Sequence, residues 1–232
     1  MLSIITSLYK SEKYLRDYFD AVEKFANDIS DIPFEIHAIA NKASKEERLL
    51  LSSFEKKNSY FKVHYIPLES LYATWNRGVS LAKYENVTFW NVDDIRFAKA
   101  AISGLKVLQE NAKLVYFPFV YKRYISFFGY DILAKKITFY PPEFDRQRFV
   151  KEMHCGPFFM FQKALFKEIG PFDESFKIAG DYDWCVRAAS HTPLTKCDDV
   201  AGIFHKRDGT LSGGRNPLQE QENVRVANKK IT

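Results

Sequence analysis

Asp93 and Asp94 stand side by side where the apolar run of residues 86–92 ends. Adjacent like charges are costly unless a cation or a set of donors compensates them. A divalent ion such as Mg2+ or Mn2+ accepts carboxylates and leaves positions open to an anion such as a diphosphate. The plainer reading is a solvated turn that caps the next helix, because Asp is a favoured N-cap. His205 follows the apolar residues 200–204, and a borderline ion such as manganese tolerates imidazole beside carboxylate. Otherwise it is a hydrogen-bonded surface histidine. Lys206 and Arg207 come next, either as charge-assisted donors to a diphosphate or as a solvated basic loop. Asp181 follows Ala179 and Gly180 at an expected helix start. There it is an N-cap or a general base that takes a proton from an attacking hydroxyl. Asp183 would point away along the same helix.

For these groups to meet, strand ends must bring them to one edge. Residues 2–6, 34–40, 61–66 and 86–92 read as buried strands. Between them, residues 11–25 carry a broad apolar stripe at helical spacing. Ser44 caps a helix running to about Lys56, with Glu46 and Glu47 in its first turn, and residues 71–82 and 97–109 complete the alternation. Strands alternating with helices at this spacing predict an α/β fold with a largely parallel sheet, which binds ligands at the carboxyl ends of its strands. Beyond it, residues 114–140 are aromatic and basic and read as a hairpin before Pro141 and Pro142. A strand at 158–161, helices at 163–169 and 181–189, and a strand at 200–204 follow, and the tail beyond Gly209 is expected to be mobile.

Composition narrows the function classes. With 46% hydrophobic and 27% charged residues the chain is globular rather than disordered. A net charge of +5, spread along the chain, lacks the dense stripe of a nucleic-acid binder, so no nucleic-acid partner is expected. Cys155, Cys185 and Cys197 form no CxxC pair, which points to reduced thiols in a cytoplasmic protein. The opening residues 2–6 are too short and uncharged for a leader, and no apolar run is long enough to cross a bilayer. A cytoplasmic protein, soluble or peripheral at the inner face of the membrane, is expected.

The pieces, in this order, resemble the inverting nucleotide-sugar glycosyltransferases of glycosyltransferase family 2. The resemblance rests on Ser-Ile-Ile-Thr-Ser-Leu-Tyr-Lys at residues 3–10, Ala-Thr-Trp-Asn-Arg-Gly at 73–78 and Asn-Val-Asp-Asp at 91–94. It extends through the segments at 156–160 and 170–174 to Gly-Asp-Tyr-Asp-Trp-Cys-Val-Arg at 180–187, covering about residues 2–207. It implies a GT-A type, Rossmann-like three-layer sandwich with a mainly parallel central sheet. Residues 1–112 would form the donor-binding half, 113–208 the acceptor-binding and catalytic half, and 209–232 the mobile tail. Asp94, with Asp93, would hold Mn2+ or Mg2+ on the donor diphosphate, with His205 as a further ligand. Lys206 and Arg207 would contact the phosphates, and Asp181 would be the base. Thr6, Ser7, Leu8 and Tyr9 would line the nucleotide pocket, with Asn76 and Asn91 also on the donor side.

This chain departs from the family pattern at named positions. Ala40 and Asn41 stand where an Asp pair usually grips the nucleoside, and Asn41 would hydrogen-bond a ribose or base without charge. Trp75 replaces an Arg and would stack on the base. Asn91 replaces the first Asp of the metal motif, and Gly180 replaces the acidic residue before the base. The implied partners are a nucleoside-diphosphate sugar and a saccharide or lipid-linked saccharide acceptor, in bacterial surface polysaccharide or lipopolysaccharide assembly. The aromatic, basic stretch at 116–140 would bind the acceptor or touch the membrane that carries it. The departures also motivate a rival, a non-catalytic nucleotide- or carbohydrate-binding module of the same fold. A nucleotidyltransferase would want a Gly-rich loop after the first strand, which Ser7-Leu8-Tyr9-Lys10 lacks.

Overall fold

Leu2, Ile4 and Leu8 face one hydrophobic cluster and Ile5 faces another, so the first strand, β1 (Leu2–Leu8), is buried on both sides. Burial on both faces belongs to the centre of a parallel sheet covered by helices. The computed structural model describes residues 1–29, 31–128, 130–207 and 216–229. The chain continues through α1 (Glu12–Ile29), β2 (Phe34–Asn41), α2 (Lys45–Lys57), β3 (Phe61–Ile66), α3 (Leu71–Leu81), β4 (Asn86–Phe89), β5 (Ile95–Arg96) and α4 (Ala98–Gln109). After these come β6 (Leu114–Tyr116), β7 (Phe119–Phe127), β8 (Tyr130–Phe139), α5 (Arg146–Phe149), β9 (Met160–Gln162) and α6 (Lys163–Ile169). The last elements are α7 (Gly180–His191), β10 (Thr195–Lys196), β11 (Gly202–Lys206) and α8 (Pro217–Asn228).

A seven-stranded sheet runs in the order β10-β6-β9-β4-β1-β2-β3, parallel except where β9 pairs with β4 and β6. Leu15, Tyr18, Val22, Phe25 and Ile29 of α1 pack on one face with α2 and α4, and α3, α6 and α7 pack on the other. This three-layer α/β sandwich is the expected architecture. The chain winds outward from β1 through β2 to β3, then returns to lay β4 on the other side of β1. Winding reverses between β1 and β4, and open sheets bind ligands in the crevice at such a switch point. A second sheet, β5-β11-β7-β8, stands beyond the end of β4. Among the described residues no helix is long and apolar enough to cross a membrane, and the three cysteines are buried and form no disulfide.

Several boundaries differ from the sequence expectation. β1 continues through Ser7 and Leu8, since both stay in register with β2. β4 stops at Phe89 because the Asp94 amide donates to the Asn91 carbonyl at 3.0 Å, closing a tight turn. β11 includes His205 and Lys206, and strand alternation puts those two side chains on opposite faces. The tail was expected to be mobile, but residues 217–228 form α8, capped by the Asn216 side chain, with Pro217 in the first turn and Val226 buried. Pro is pre-organised for that position. Of the rest of the expected tail, residues 209–215 and 230–232 lie outside the described residues.

Candidate active site

The turn after β4 is clamped from below. The Trp90 amide donates to the Ile5 carbonyl at 2.9 Å, extending the pairing with β1 by one residue. The Trp90 indole, fully buried, donates to the Asp94 carbonyl at 2.9 Å. Arg96, also buried, donates to the carbonyls of Phe89 at 3.0 Å and Phe158 at 3.3 Å, tying β4 to the segment before β9. Burial pushes its guanidinium down to about 9, against the pull of nearby Asp94.

On this support the sequence-distant groups converge. Asp94 accepts the His205 amide at 2.8 Å through Oδ1 and the Asn91 side-chain amide at 3.0 Å through Oδ2. His205 Nδ1 lies 2.6 Å from the Asp93 carbonyl. A carbonyl only accepts, so Nδ1 carries the proton and Nε2 keeps its lone pair. Burial lowers the His205 pKa and favours that neutral form. Arg207 approaches Asp93 at 3.5 Å and Asp131 at 3.4 Å, with its guanidinium over the rings of Tyr14 and Tyr124. Burial raises the Asp94 carboxyl well above the usual range, and the charge of Asp93 adds to it. Burial also raises Asp93, opposed by Arg207 and Lys13.

Paired carboxylates that resist ionisation, beside an imidazole lone pair, fit a hard or borderline divalent cation. Among the described residues no three His, Cys, Asp or Glu side chains are already gathered as a cation cage. Water and ligand oxygens would therefore complete the shell. Asp93 offers the more accessible carboxylate, because Asp94 already spends both oxygens on the turn.

Beyond the ends of β1 and β2 lies a cavity of about 340 Å³ lined by Lys10, Glu12, Lys13, Lys42, Ser44 and Glu47. Lys10 and Lys42, just past the ends of β1 and β2, have left-handed φ of 51° and 46°. Such backbone is uncommon for a residue with a Cβ and clusters at ligand sites. Glu47 fixes the floor by accepting the amides of Ser11 at 2.6 Å and Ser44 at 2.9 Å. Lys13 reaches toward the carboxylates by way of Tyr14, whose ring lies 4.6 Å from the Lys13 ammonium and 5.5 Å from the Arg207 guanidinium. Lys42 follows a strand and Lys13 lies in the first turn of α1, positions where a lysine is usually just solvated, so neither carries a local signal of a site.

Asp181 opens α7 on the same carboxyl edge, beside the first turn of α3. Its Oδ1 accepts the Tyr182 amide at 2.9 Å and faces the Tyr72 hydroxyl at 3.3 Å. Burial pushes its pKa up to about 6, against those two donors. Asp183 is instead consumed by Arg187 at 3.1 Å and Lys229 at 2.5 Å. Tyr72 also explains Gly180. A Cβ there would meet its ring carbons at 2.6–2.7 Å, so the ring occupies the space of the family's acidic side chain. Gly180→Ala is expected to cost about 1–3 kcal/mol by overpacking, read as a lower unfolding midpoint. Adding Tyr72→Ala should recover part of it, and an equal cost in that background would exclude the clash.

Glu222 of α8 holds the loop that delivers Asp181. Its carboxylate accepts the amides of Lys177, Ile178 and Ala179 at 2.9, 2.8 and 2.9 Å. Burial opposes its charge, but the three donors prevail and hold its pKa below the ordinary value. Glu222→Ala strands buried donors and should cost about 2–4 kcal/mol at neutral pH. A depressed carboxyl stabilises the fold above its unfolded pKa and loses that contribution as pH falls through the folded one. The gap between wild type and variant in urea unfolding should therefore close on acidification, and a constant gap would contradict the assignment. Neither Tyr72 nor Glu222 carries a local signal that ties it to Asp181.

The donor-side expectations need correction at several positions. Trp75 does not present a free face for a base: its ring stacks on Phe89 at 4.0 Å and edges Phe172, deep in the core. Asn76 bridges to the amide and carbonyl of Phe172 at 2.9 and 3.0 Å. Asn41 is buried, binding Thr74 at 3.1 Å and the Glu69 amide at 3.2 Å to seat α3. The Thr6 hydroxyl pairs with Tyr18 at 2.7 Å, and Leu8 is core. The Asn91 amide serves Asp94 rather than a ligand. Lys206 is in register with Arg123, on the face away from His205. Ser7 and Tyr9 remain near the surface, Tyr9 being 47% exposed.

The sheet order, the switch point and the carboxylates beyond β4 define a GT-A glycosyltransferase fold. The chain matches Glycosyl transferase family 2 over residues 3–170 and belongs to that family. No curated protein matches it. Residues 1–349 of S. aureus TarS in complex with UDP-GlcNAc superpose with a TM-score of 0.72 at 19% identity, over 97% of this chain and 65% of that one. The mannosyltransferase PcManGT from Pyrobaculum calidifontis in complex with GDP-Man and Mn2+ gives 0.62 at 11% identity, over 88% and 56%. This chain thus spans less than two thirds of either structure's length.

Proposed function

We propose that this protein is a metal-dependent, inverting glycosyltransferase that moves a sugar from a nucleoside diphosphate to a hydroxyl acceptor. The observation that carries the reading is the meeting of Asp93, Asp94, His205 and Arg207 at the switch point, beside a lysine-lined cavity. Similar structures bind UDP-GlcNAc and GDP-Man, which supports the same class of donor here. Residues 1–112 form the donor-binding half, which His205 and Arg207 complete, and 113–208 carry the acceptor side and the base. Lys10, Lys13, Lys42 and Arg207 neutralise the diphosphate, with Ser7 and Tyr9 on the nucleotide. Asp93 and Asp94, with His205 Nε2, would hold Mn2+ or Mg2+, and the ion would supply Lewis-acid stabilisation of the leaving diphosphate.

Asp181 takes the proton of the acceptor hydroxyl as its oxygen bonds to the anomeric carbon. The bond to the diphosphate breaks on the opposite side, so configuration inverts. A base with a pKa near 6 is ionised at neutral pH and still accepts a proton. The acceptor is a saccharide, or a saccharide carried on a lipid at the inner face of the membrane, in bacterial surface-polysaccharide or lipopolysaccharide assembly. The test is nucleoside-diphosphate release from a panel of UDP- and GDP-sugars with manganese. Turnover of one donor is expected. Tight binding without turnover of any would favour the binding-module alternative, which the commitment of Trp75, Asn76 and Asn41 to the core already motivates.

A further inference from the structure

We propose that the exposed distal half of the β7–β8 hairpin, on the face that carries Arg123 and Ile125, seats the protein on an anionic membrane surface. This rests on the reading above, in its form with a lipid-carried acceptor, and names the surface that would meet it. β7 pairs with β11 only as far as Arg123 opposite Lys206; beyond that, the two strands of the hairpin have each other alone. Register and contacts sort its side chains into two faces. Lys122 is level with His205, Tyr124 lies 5.7 Å from the His205 ring, and Asp131 meets Arg207, so that face belongs to the site.

The opposite face carries Arg123 directly across from Lys135, Ile125 across from Ile132, and Ile137 and Tyr130 on either side. Ile125 is 47%, Ile132 52%, Ile137 41% and Tyr130 76% exposed, and Phe128 at the turn is 86% exposed. Lys122 across from Lys136 is a second like-charged pair, on the site face. Like charges opposite each other in a ladder are destabilising unless something anionic lies over them, and only the Arg123 pair is flanked by exposed Ile125 and Ile132. β-Branched and aromatic side chains set among Arg and Lys match the bilayer interface, where rings sit at headgroup depth and cations meet lipid phosphates.

A second copy fits this face less well. Across a two-fold axis Arg123 and Lys135 would confront their own counterparts, a costly juxtaposition. The open edge of β8 carries Lys135 and Lys136, a common protection against edge-to-edge pairing.

The test is co-sedimentation of the full chain with vesicles of phosphatidylcholine alone or mixed with phosphatidylglycerol. Binding to the mixed vesicles and not to phosphatidylcholine is expected. Arg123→Glu with Lys135→Glu should weaken it roughly 30-fold. Ile125→Ser with Ile132→Ser should release the protein even at low salt. Each variant must keep the nucleoside-diphosphate-dependent thermal shift of the wild type, and Lys135→Glu alone serves if a double variant misfolds. Wild type that ignores both vesicles, or variants that bind like it, overturns the proposal. So does self-association lost in the Ile125 and Ile132 variant without vesicle binding, which would assign the face to a second copy. A nucleotide response without vesicle binding sinks the membrane surface alone. Vesicle binding without any nucleotide response sinks the transferase reading instead.

Discussion

Asp181→Asn is expected to lower turnover about a thousandfold, within the range a positioned general base supplies, while donor affinity and unfolding midpoint stay near wild type. The variant keeps an oxygen for the Tyr182 amide and the Tyr72 hydroxyl, so the α7 start should hold. What it loses is a proton acceptor whose pKa burial has pushed up to about 6. The sign of the pH effect follows. Only the ionised carboxylate accepts a proton, so wild-type turnover should climb as pH rises through about 6 and then level off. The residual activity of the variant should lack that limb. An acid limb that survives the substitution would assign it to another group and remove Asp181 from the role.

Asp94→Asn should weaken manganese binding, measured with UDP or GDP present, about 100-fold or more, on the scale at which supporting groups alone already tune metal affinity. The substitution leaves an oxygen for the His205 amide and a charge disappears, while the Asn91 amide must turn its oxygen toward the new NH2. Stabilisation by nucleotide and manganese follows ligand occupancy, which makes the thermal shift a direct readout. An undiminished shift would clear Asp94 of metal binding. Asp93→Asn, run in parallel, decides which carboxylate matters more. Asp93 has the weaker internal commitments, with Arg207 approaching only to 3.5 Å.

Local signals made much of this fold legible. The capping box of Ser44 and Glu47 starts α2 where expected, β3 falls on residues 61–66, and the stripe of α1 runs from Leu15 to Ile29. Caps and periodicity depend on near neighbours, so they survive in one dimension. The convergence of Asp93, Asp94 and His205 was also readable, because each ends or borders an apolar run at the same edge of the sheet. The donor-side side chains were not. Trp75 and Asn76 are consumed by Phe172, almost a hundred positions later, and nothing beside them announces it. Gly180 marks a bulky neighbour without naming Tyr72. α8 has no legible signal of its own because its apolar content is slight, and its helix is stabilised by docking Val226 and Glu222 rather than by a stripe.

The loop before Asp181 is gripped by a carboxylate from a helix made well after it. During synthesis the ribosome therefore releases Asp181 while Lys177, Ile178 and Ala179 still have only water to satisfy their amides. Until α8 emerges and docks, the nascent chain carries its would-be base on an unsecured segment. Maturation of that corner is deferred to the last helix described here, whatever order the sheet assembles in.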